Sequence, residues 1–173
     1  TNKTAVTQDI RNIVAFADLA ENKSINIFNP NVFPVASTQD PSNEANSLIN
    51  YFTATSTVRN VSTVSSTLLP LGMLQGRDFS VLENARKLSP NEFKLHPQLG
   101  FLSLNRRLND GDILAVAYEY TISGSSKVFK VGELTSDGVT APANIIVKLL
   151  RSEIINTTVP IWKLMMKNIY ALG

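Results

Sequence analysis

Five consecutive apolar residues, Ile13-Val14-Ala15-Phe16-Ala17, constrain this chain more than any other feature of it. In an extended strand successive side chains point to opposite faces, so an unbroken apolar run has to be covered on both sides. Residues 11–19 therefore read as a buried strand. A length of 173 residues suffices to bury one, and 43% apolar against 17% charged residues excludes the disordered class.

The stretch that follows, residues 21–41, holds Pro30, Pro34 and Pro41 among several Asn and Ser. It reads as a loop, with a short extended piece at residues 25–28. The period then changes. Ala45, Leu48, Ile49 and Phe52 recur at i, i+3, i+4 and i+7, one stripe of an amphipathic helix. Val58, Val61, Val64 and Leu68 continue at rough helical spacing until Pro70 and Gly72 end the region. Val81, Leu82, Ala85 and Leu88 read as another helical face within residues 80–88. Ser89-Pro90-Asn91-Glu92 is a capping-box signature, with Ser89 as cap and Glu92 placed to return a bond to the Ser89 amide. Only one helical turn fits between it and Pro97.

From Gly100 the signal is β. Residues 101–104 form a short alternating strand. Residues 113–122, ILAVAYEYTI, are rich in aromatic and β-branched side chains and predict the longest strand. Leu114, Val116, Tyr118, Tyr120 and Ile122 fall on one face of it, Ala115, Ala117 and Glu119 on the other. Ser123-Gly124-Ser125-Ser126 is a hairpin turn from which residues 127–134 return antiparallel. A loop with Asp137-Gly138 precedes an apolar strand at residues 145–150. Pro160 opens a helix through Leu172 whose buried side is Ile161, Leu164, Met165, Ile169 and Leu172, with Trp162 and Met166 beside it. Helical and strand signals are segregated rather than alternating. The expected architecture is α+β, an antiparallel, sandwich-like sheet with helices packed on one side, forming a single domain over residues 1–173.

Little in the sequence points to chemistry. No cysteine is present, which removes thiolate catalysis and sulfur-ligated metals. The single histidine, His96, sits before Pro97 in a polar turn and makes a poor catalytic base. No G-x-S-x-G elbow exists, and Gly124-Ser125-Ser126 lies in a hairpin turn. Asn109-Asp110-Gly111-Asp112 is the densest acidic cluster but lacks the ligand spacing of an EF-hand, so it reads as turn chemistry. Glu83 and Glu92 share no evident site. No phosphate-binding glycine loop occurs. A net charge of +2, with Arg106-Arg107 as a solvated pair, argues against a nucleic-acid or polybasic membrane footprint. Sequons at Asn2, Asn22, Asn60 and Asn156 matter only in a eukaryotic secretory pathway. No apolar run reaches the roughly 20 residues of a membrane-spanning helix. The chain opens on Thr1 and reads as a fragment of a larger protein. Metal and cofactor sites are expected to be absent. Tyr118 and Tyr120, sharing a strand face, are candidates for a sugar-stacking platform or, more ordinarily, for core packing.

Three stretches carry a resemblance. They are VTQDIRNIVAFADL near the start, residues 85–124 (ARKLSPNEFKLHPQLGFLSLNRRLNDGDILAVAYEYTISG), and the segment from Phe129 onward with FKVGELTSDG, IIVKLL and PIWKLMMKNIYALG. Together they resemble the N-terminal-type soluble domain of the SprA/Sov family, the outer-membrane translocons of the type IX secretion system in Bacteroidetes. Residues 21–71 are the least family-like part. The resemblance implies a non-catalytic domain, excised from a giant β-barrel, that supports protein export and gliding motility. It further implies a PorV-type outer-membrane partner, a plug protein and secreted cargo, and no cofactor or nucleic acid. Barrel strands need stretches of about ten alternating residues, and only residues 113–122 approach that. The domain is thus expected to be water-soluble and attached to the barrel, on the extracellular rather than the periplasmic side. Trp162, Met166, Tyr118 and Tyr120 are the candidate contact residues. The competing expectation is a surface module that binds glycan or peptide through the Tyr118/Tyr120 face.

Overall fold

A computed structural model describes residues 10–19, 21, 40–45 and 47–153 of the chain. The extended piece expected at residues 25–28 and the C-terminal helix with Trp162 and Met166 lie outside the described residues. Among the described residues there are eight strands and two short α-helices: β1 (Ile10–Phe16), α1 (Leu48–Ala54), α2 (Val64–Leu68), β2 (Phe79–Arg86), β3 (Phe93–His96), β4 (Phe101–Leu104), β5 (Leu114–Val116), β6 (Tyr118–Thr121), β7 (Val128–Val131) and β8 (Ile145–Arg151). Strands dominate. The main sheet has the order β2-β1-β8-β5, while β3-β4 and β6-β7 are separate two-stranded sheets.

The apolar run is an interior strand of that sheet. On one face Val14 and Phe16 join Leu48, Ile49 and Phe52 of α1, Val64 and Leu68 of α2, and Val58, Phe79, Val131 and Ile146. On the other, Ala15 and Ala17 meet Ile145, Val147 and Leu149, with Ile113, Ala115, Ala117 and Val139 packed against them. Both faces are covered, as an unbroken apolar strand requires. The first face is filled by large rings. Phe16 and Phe52 stack with centroids 4.2 Å apart and planes 11° apart, and Phe79 lies 6.0 Å from Phe16. Both helices lie on this side.

The sheet differs from the expected one in its direction. β1 pairs antiparallel with β2 but parallel with β8, Ile13 facing Ile145 through Phe16 facing Lys148, so the sheet is mixed. Local hairpin signals favour antiparallel pairs. Nothing local can reveal that two strands about 130 residues apart lie side by side in the same direction. Nor is a sandwich-like stack a clear feature: helices close one face and a thinner layer of small side chains and loops closes the other.

Residues 80–88 are not helical: residues 80–86 belong to β2 and the chain leaves the strand at Lys87. The reason is a β-bulge. Arg11 faces Ala85 and Ile13 faces Leu82, so Glu83 and Asn84 together oppose the single residue Asn12. Asn84 takes a left-handed φ of 54°, and its amide donates to Asn12 Oδ1 at 3.1 Å. One extra residue resets the alternation, which makes the apolar spacing look helical. The capping box also has a different outcome. Its reciprocal bond is present, Ser89 N–H to Glu92 Oε2 at 2.9 Å, yet β3 follows it rather than a helical turn. Arg86 grips the same carboxylate with bonds of 2.6 and 2.8 Å, tying the end of β2 to the start of β3.

The expected strand over residues 113–122 divides at Ala117. β5 pairs with β8, and β6 leaves to pair with β7. Gly132 explains the crossing. Its φ is +76°, and a Cβ there would sit 3.2 Å from Ala117 Cβ, 3.2 Å from the Ile146 carbonyl oxygen and 3.3 Å from Val147 Cα. Only glycine lets the β6–β7 hairpin approach β8 this closely.

Three outcomes follow. Phe52→Ala should lower unfolding stability by about 3–5 kcal/mol, as for other buried rings. Gly132→Ala should cost more than Gly100→Ala, which pays only the left-handed backbone penalty of about 1–2 kcal/mol in open space; equal costs in urea melts would show that close packing at Gly132 is unimportant. The Arg86 hydrogen bonds, then the Ser89 amide, hold the Glu92 carboxyl at a pKa of about 2 instead of 4.5. Its folded-state pKa is depressed, so the clamp contributes stability above about pH 4.5 and loses it as pH falls toward 2. Carboxyl NMR should place the Glu92 midpoint near 2, and Arg86→Gln should move it up toward the ordinary value.

Candidate functional site

The β6–β7 hairpin carries the two tyrosines singled out in the sequence. Tyr118 faces Val131 and Tyr120 faces Phe129 across the antiparallel pair, so the four side chains share one side. Their rings form a strip: Tyr118 to Tyr120 is 6.2 Å between centroids, and Tyr120 stacks on Phe129 at 5.1 Å and 20°. Phe129 and Val131 are buried, and the Tyr120 hydroxyl donates to the Pro41 carbonyl at 2.9 Å. Lys127 Nζ sits 5.1 Å from the Phe129 centroid and pairs with Glu44 at 2.8 Å. Tyr120 is thereby tied to the segment at residues 40–45. Tyr118 is 36% exposed and offers the open end of the strip. Burial, then the nearby negative charge of Glu21, pushes its phenol up to about 12. The opposite side of the hairpin is polar, with Lys130 bridging Glu119 at 3.1 Å and Asp137 at 2.6 Å.

Glu21, whose charge reaches Tyr118, belongs to a charged pair that pattern reading misses. Lys148 stands in the most apolar part of β8, is buried, and pairs with the buried Glu21. Its ammonium also donates to the Ala17 carbonyl at 3.0 Å, while Glu21 Oε2 accepts from the Leu19 amide at 2.9 Å. A second pair, Arg59 with Glu133, is bidentate at 2.5 and 2.6 Å. Arg59 also donates to the Asn144 carbonyl at 3.0 Å, and Glu133 Oε2 accepts from the Ile146 amide at 2.9 Å. Asn43 donates to the Gly132 carbonyl at 2.9 Å and accepts from the Gly132 amide at 2.8 Å, imitating a strand partner. These groups tie loops to the strand ends. The only sequence signal for Lys148 was its incongruity within an apolar run.

The remaining candidates are dispersed. His96 lies in β3 and stacks on Phe101 at 4.3 Å, far along the chain from the tyrosine strip. Asp112 Oδ2 accepts from the Asn109 amide at 2.9 Å, and Arg151 donates to the Asn109 carbonyl at 2.8 Å, so this acidic cluster is engaged in its own turn. Among the described residues no group of three or more His, Cys, Asp or Glu is gathered closely enough to hold a metal ion. Among them, too, no helix is long and apolar enough to cross a membrane. Arg106 and Arg107 are exposed. The chain matches no protein-family model and no curated protein.

Glu21→Ala should cost about 3–5 kcal/mol, because it strands the Lys148 charge in the interior. Replacing both partners by apolar residues of similar volume, Glu21→Leu with Lys148→Met, should recover most of that loss. A double substitution as damaging as the single one in denaturant melts would show that the Lys148–Ala17 bond, not the ion pair, carries the stability.

Proposed function

We propose that this chain is a non-catalytic, water-soluble domain of an outer-membrane secretion translocon of the SprA/Sov type, contributing to protein export and gliding motility. The observation that carries the proposal is the long, ordered sequence resemblance over residues 85–124 and from Phe129 onward. The places of the resembling residues support it. Glu92 and Ser89 clamp a turn, Gly100 turns a hairpin, and residues 129–134 include the glycine on which the β6–β7 crossing depends. They serve architecture, as a scaffold requires.

In this reading the domain sits on the extracellular side of the membrane, attached to the barrel, with a PorV-type partner, a plug protein and cargo as neighbours. The helices and the two small hairpins pack around the main sheet as the layers of such a domain. The second reading is a glycan- or peptide-binding surface module, favoured by the exposed end of the tyrosine strip at Tyr118.

Two experiments separate them. In the parent protein, deleting the segment should reduce export of cargo bearing a C-terminal sorting domain while the barrel still reaches the outer membrane; unchanged export sinks the translocon reading. On a glycan array the chain should give no signal that Tyr118→Ala removes, and such a signal would establish the second reading instead.

A further inference from the structure

The β3–β4 hairpin stands apart from the main sheet and shows an uncovered apolar end. Phe93 faces Leu104 and Leu95 faces Leu102, placing four apolar side chains on one side of the ribbon. Leu95 is 59% exposed, Leu102 38%, Phe101 46% and Leu99, in the turn, 75%. Residues 99–102, Leu-Gly-Phe-Leu, contain no polar side chain. Gly100, at φ +68°, makes the tight turn that brings Leu99 to the apex. A two-stranded hairpin is marginal alone in water. Here its base is held: Glu92 by Arg86 and Ser89, and Asn105 by its side-chain bond to the Asn91 carbonyl at 2.5 Å and its amide bond to the Glu92 carbonyl at 2.9 Å. The apolar end is therefore presented on a fixed stem.

The charges near the stem are one-sided. Between residues 86 and 107 the chain carries Arg86, Lys87, Lys94, Arg106 and Arg107 against the single carboxylate of Glu92, which is already occupied by Arg86. Lys87, Lys94, Arg106 and Arg107 are exposed, and all belong to the base half of the hairpin or its flanks. The chain-wide charge of +2 hides this concentration, because the remaining residues are net acidic. Strands of four residues span on the order of 10–13 Å from this basic collar to the tip. That matches the 5–10 Å depth to which interfacial apolar groups enter a bilayer while cations stay at the phosphates.

We propose that the β3–β4 hairpin is a membrane-contact element: Leu95, Leu99, Phe101 and Leu102 enter the headgroup–acyl boundary of an anionic lipid surface, and Lys87, Lys94, Arg106 and Arg107 bind its phosphates. Residues 99 to 102 carry no side-chain hydrogen-bonding group, Gln98 and the His96 ring stacked on Phe101 lie beside them, and the charges of the stem are cationic; that pattern suits a fluid apolar layer under anionic headgroups better than a protein surface, whose rim uses matched polar contacts. The proposal stands on the hairpin and does not depend on the translocon reading.

Flotation of the 173-residue chain with vesicles tests it. Vesicles of phosphatidylcholine mixed with phosphatidylglycerol should carry the chain, and pure phosphatidylcholine vesicles should carry far less. Leu99→Asp should weaken binding by about tenfold or more, since one inserted leucine is withdrawn. The pair Arg106→Glu with Arg107→Glu should have a similar effect that high salt mimics. All three positions are exposed, so the unfolding midpoint should not move. The chain has no cysteine, so Leu99→Cys with an environment-sensitive fluorophore gives a separate readout, a blue shift on adding anionic vesicles. Absence of vesicle binding, or binding indifferent to Leu99→Asp, overturns the proposal. A concentration-dependent dimer that Leu99→Asp abolishes, without vesicle binding, also overturns it and assigns the surface to a second copy.

Discussion

Strand β1 has no solvent-facing side, and the need to cover both of its faces organises the described residues. An interior strand with alternating large and small apolar side chains demands different partners above and below. Val14 and Phe16 require volume, which α1, α2 and Phe79 supply as stacked rings and branched side chains. Ala15 and Ala17 require little: β8 and Ala115 share their face of the sheet, and Ile113, Ala117 and Val139 pack against it. The unequal depth of the two layers follows from the unequal size of the side chains, because interiors pack to near-crystalline density.

Charged groups inside this frame hold ends together. Lys148 and Glu21 join β8 to the exit of β1, and Arg59 and Glu133 join the segment after α1 to the entry of β8. Each charged group also bonds to a backbone group, so the desolvation of each ion is offset by more than its partner's charge. Such pairs bring specificity of arrangement. An apolar residue could lie in several registers on the sheet, whereas Lys148 has one position from which it reaches both Glu21 and the Ala17 carbonyl.

The same division appears between the two small hairpins. In β6–β7 the aromatic side is drawn inward by Phe129, Val131 and the Tyr120–Pro41 bond. In β3–β4 an equally apolar side is left open on a stem fixed by Glu92 and Asn105. Sequence alternation is alike in the two cases. What differs is whether another segment of the fold reaches the apolar face, and that difference turns one hairpin into packing and the other into a surface.

Properties that depend on neighbours a few residues apart were legible in the sequence. These include the buried β1, the α1 stripe of Leu48, Ile49 and Phe52, the β6–β7 turn, the strand at β8, and the Ser89–Glu92 bond. Burial, periodicity and turn geometry are local, so the pattern of residues carries them. Tertiary structure alone decided the rest: the parallel β1–β8 pairing, the bulge at Glu83–Asn84 that makes a strand look helical, the division of residues 113–122 at Ala117, the burial of Lys148, and the exposure of Leu95 and Leu102. Each of these depends on contact between residues distant in the chain. Pairing direction, bulge position and surface exposure are properties of two segments together, and a single segment cannot encode which other one it will meet.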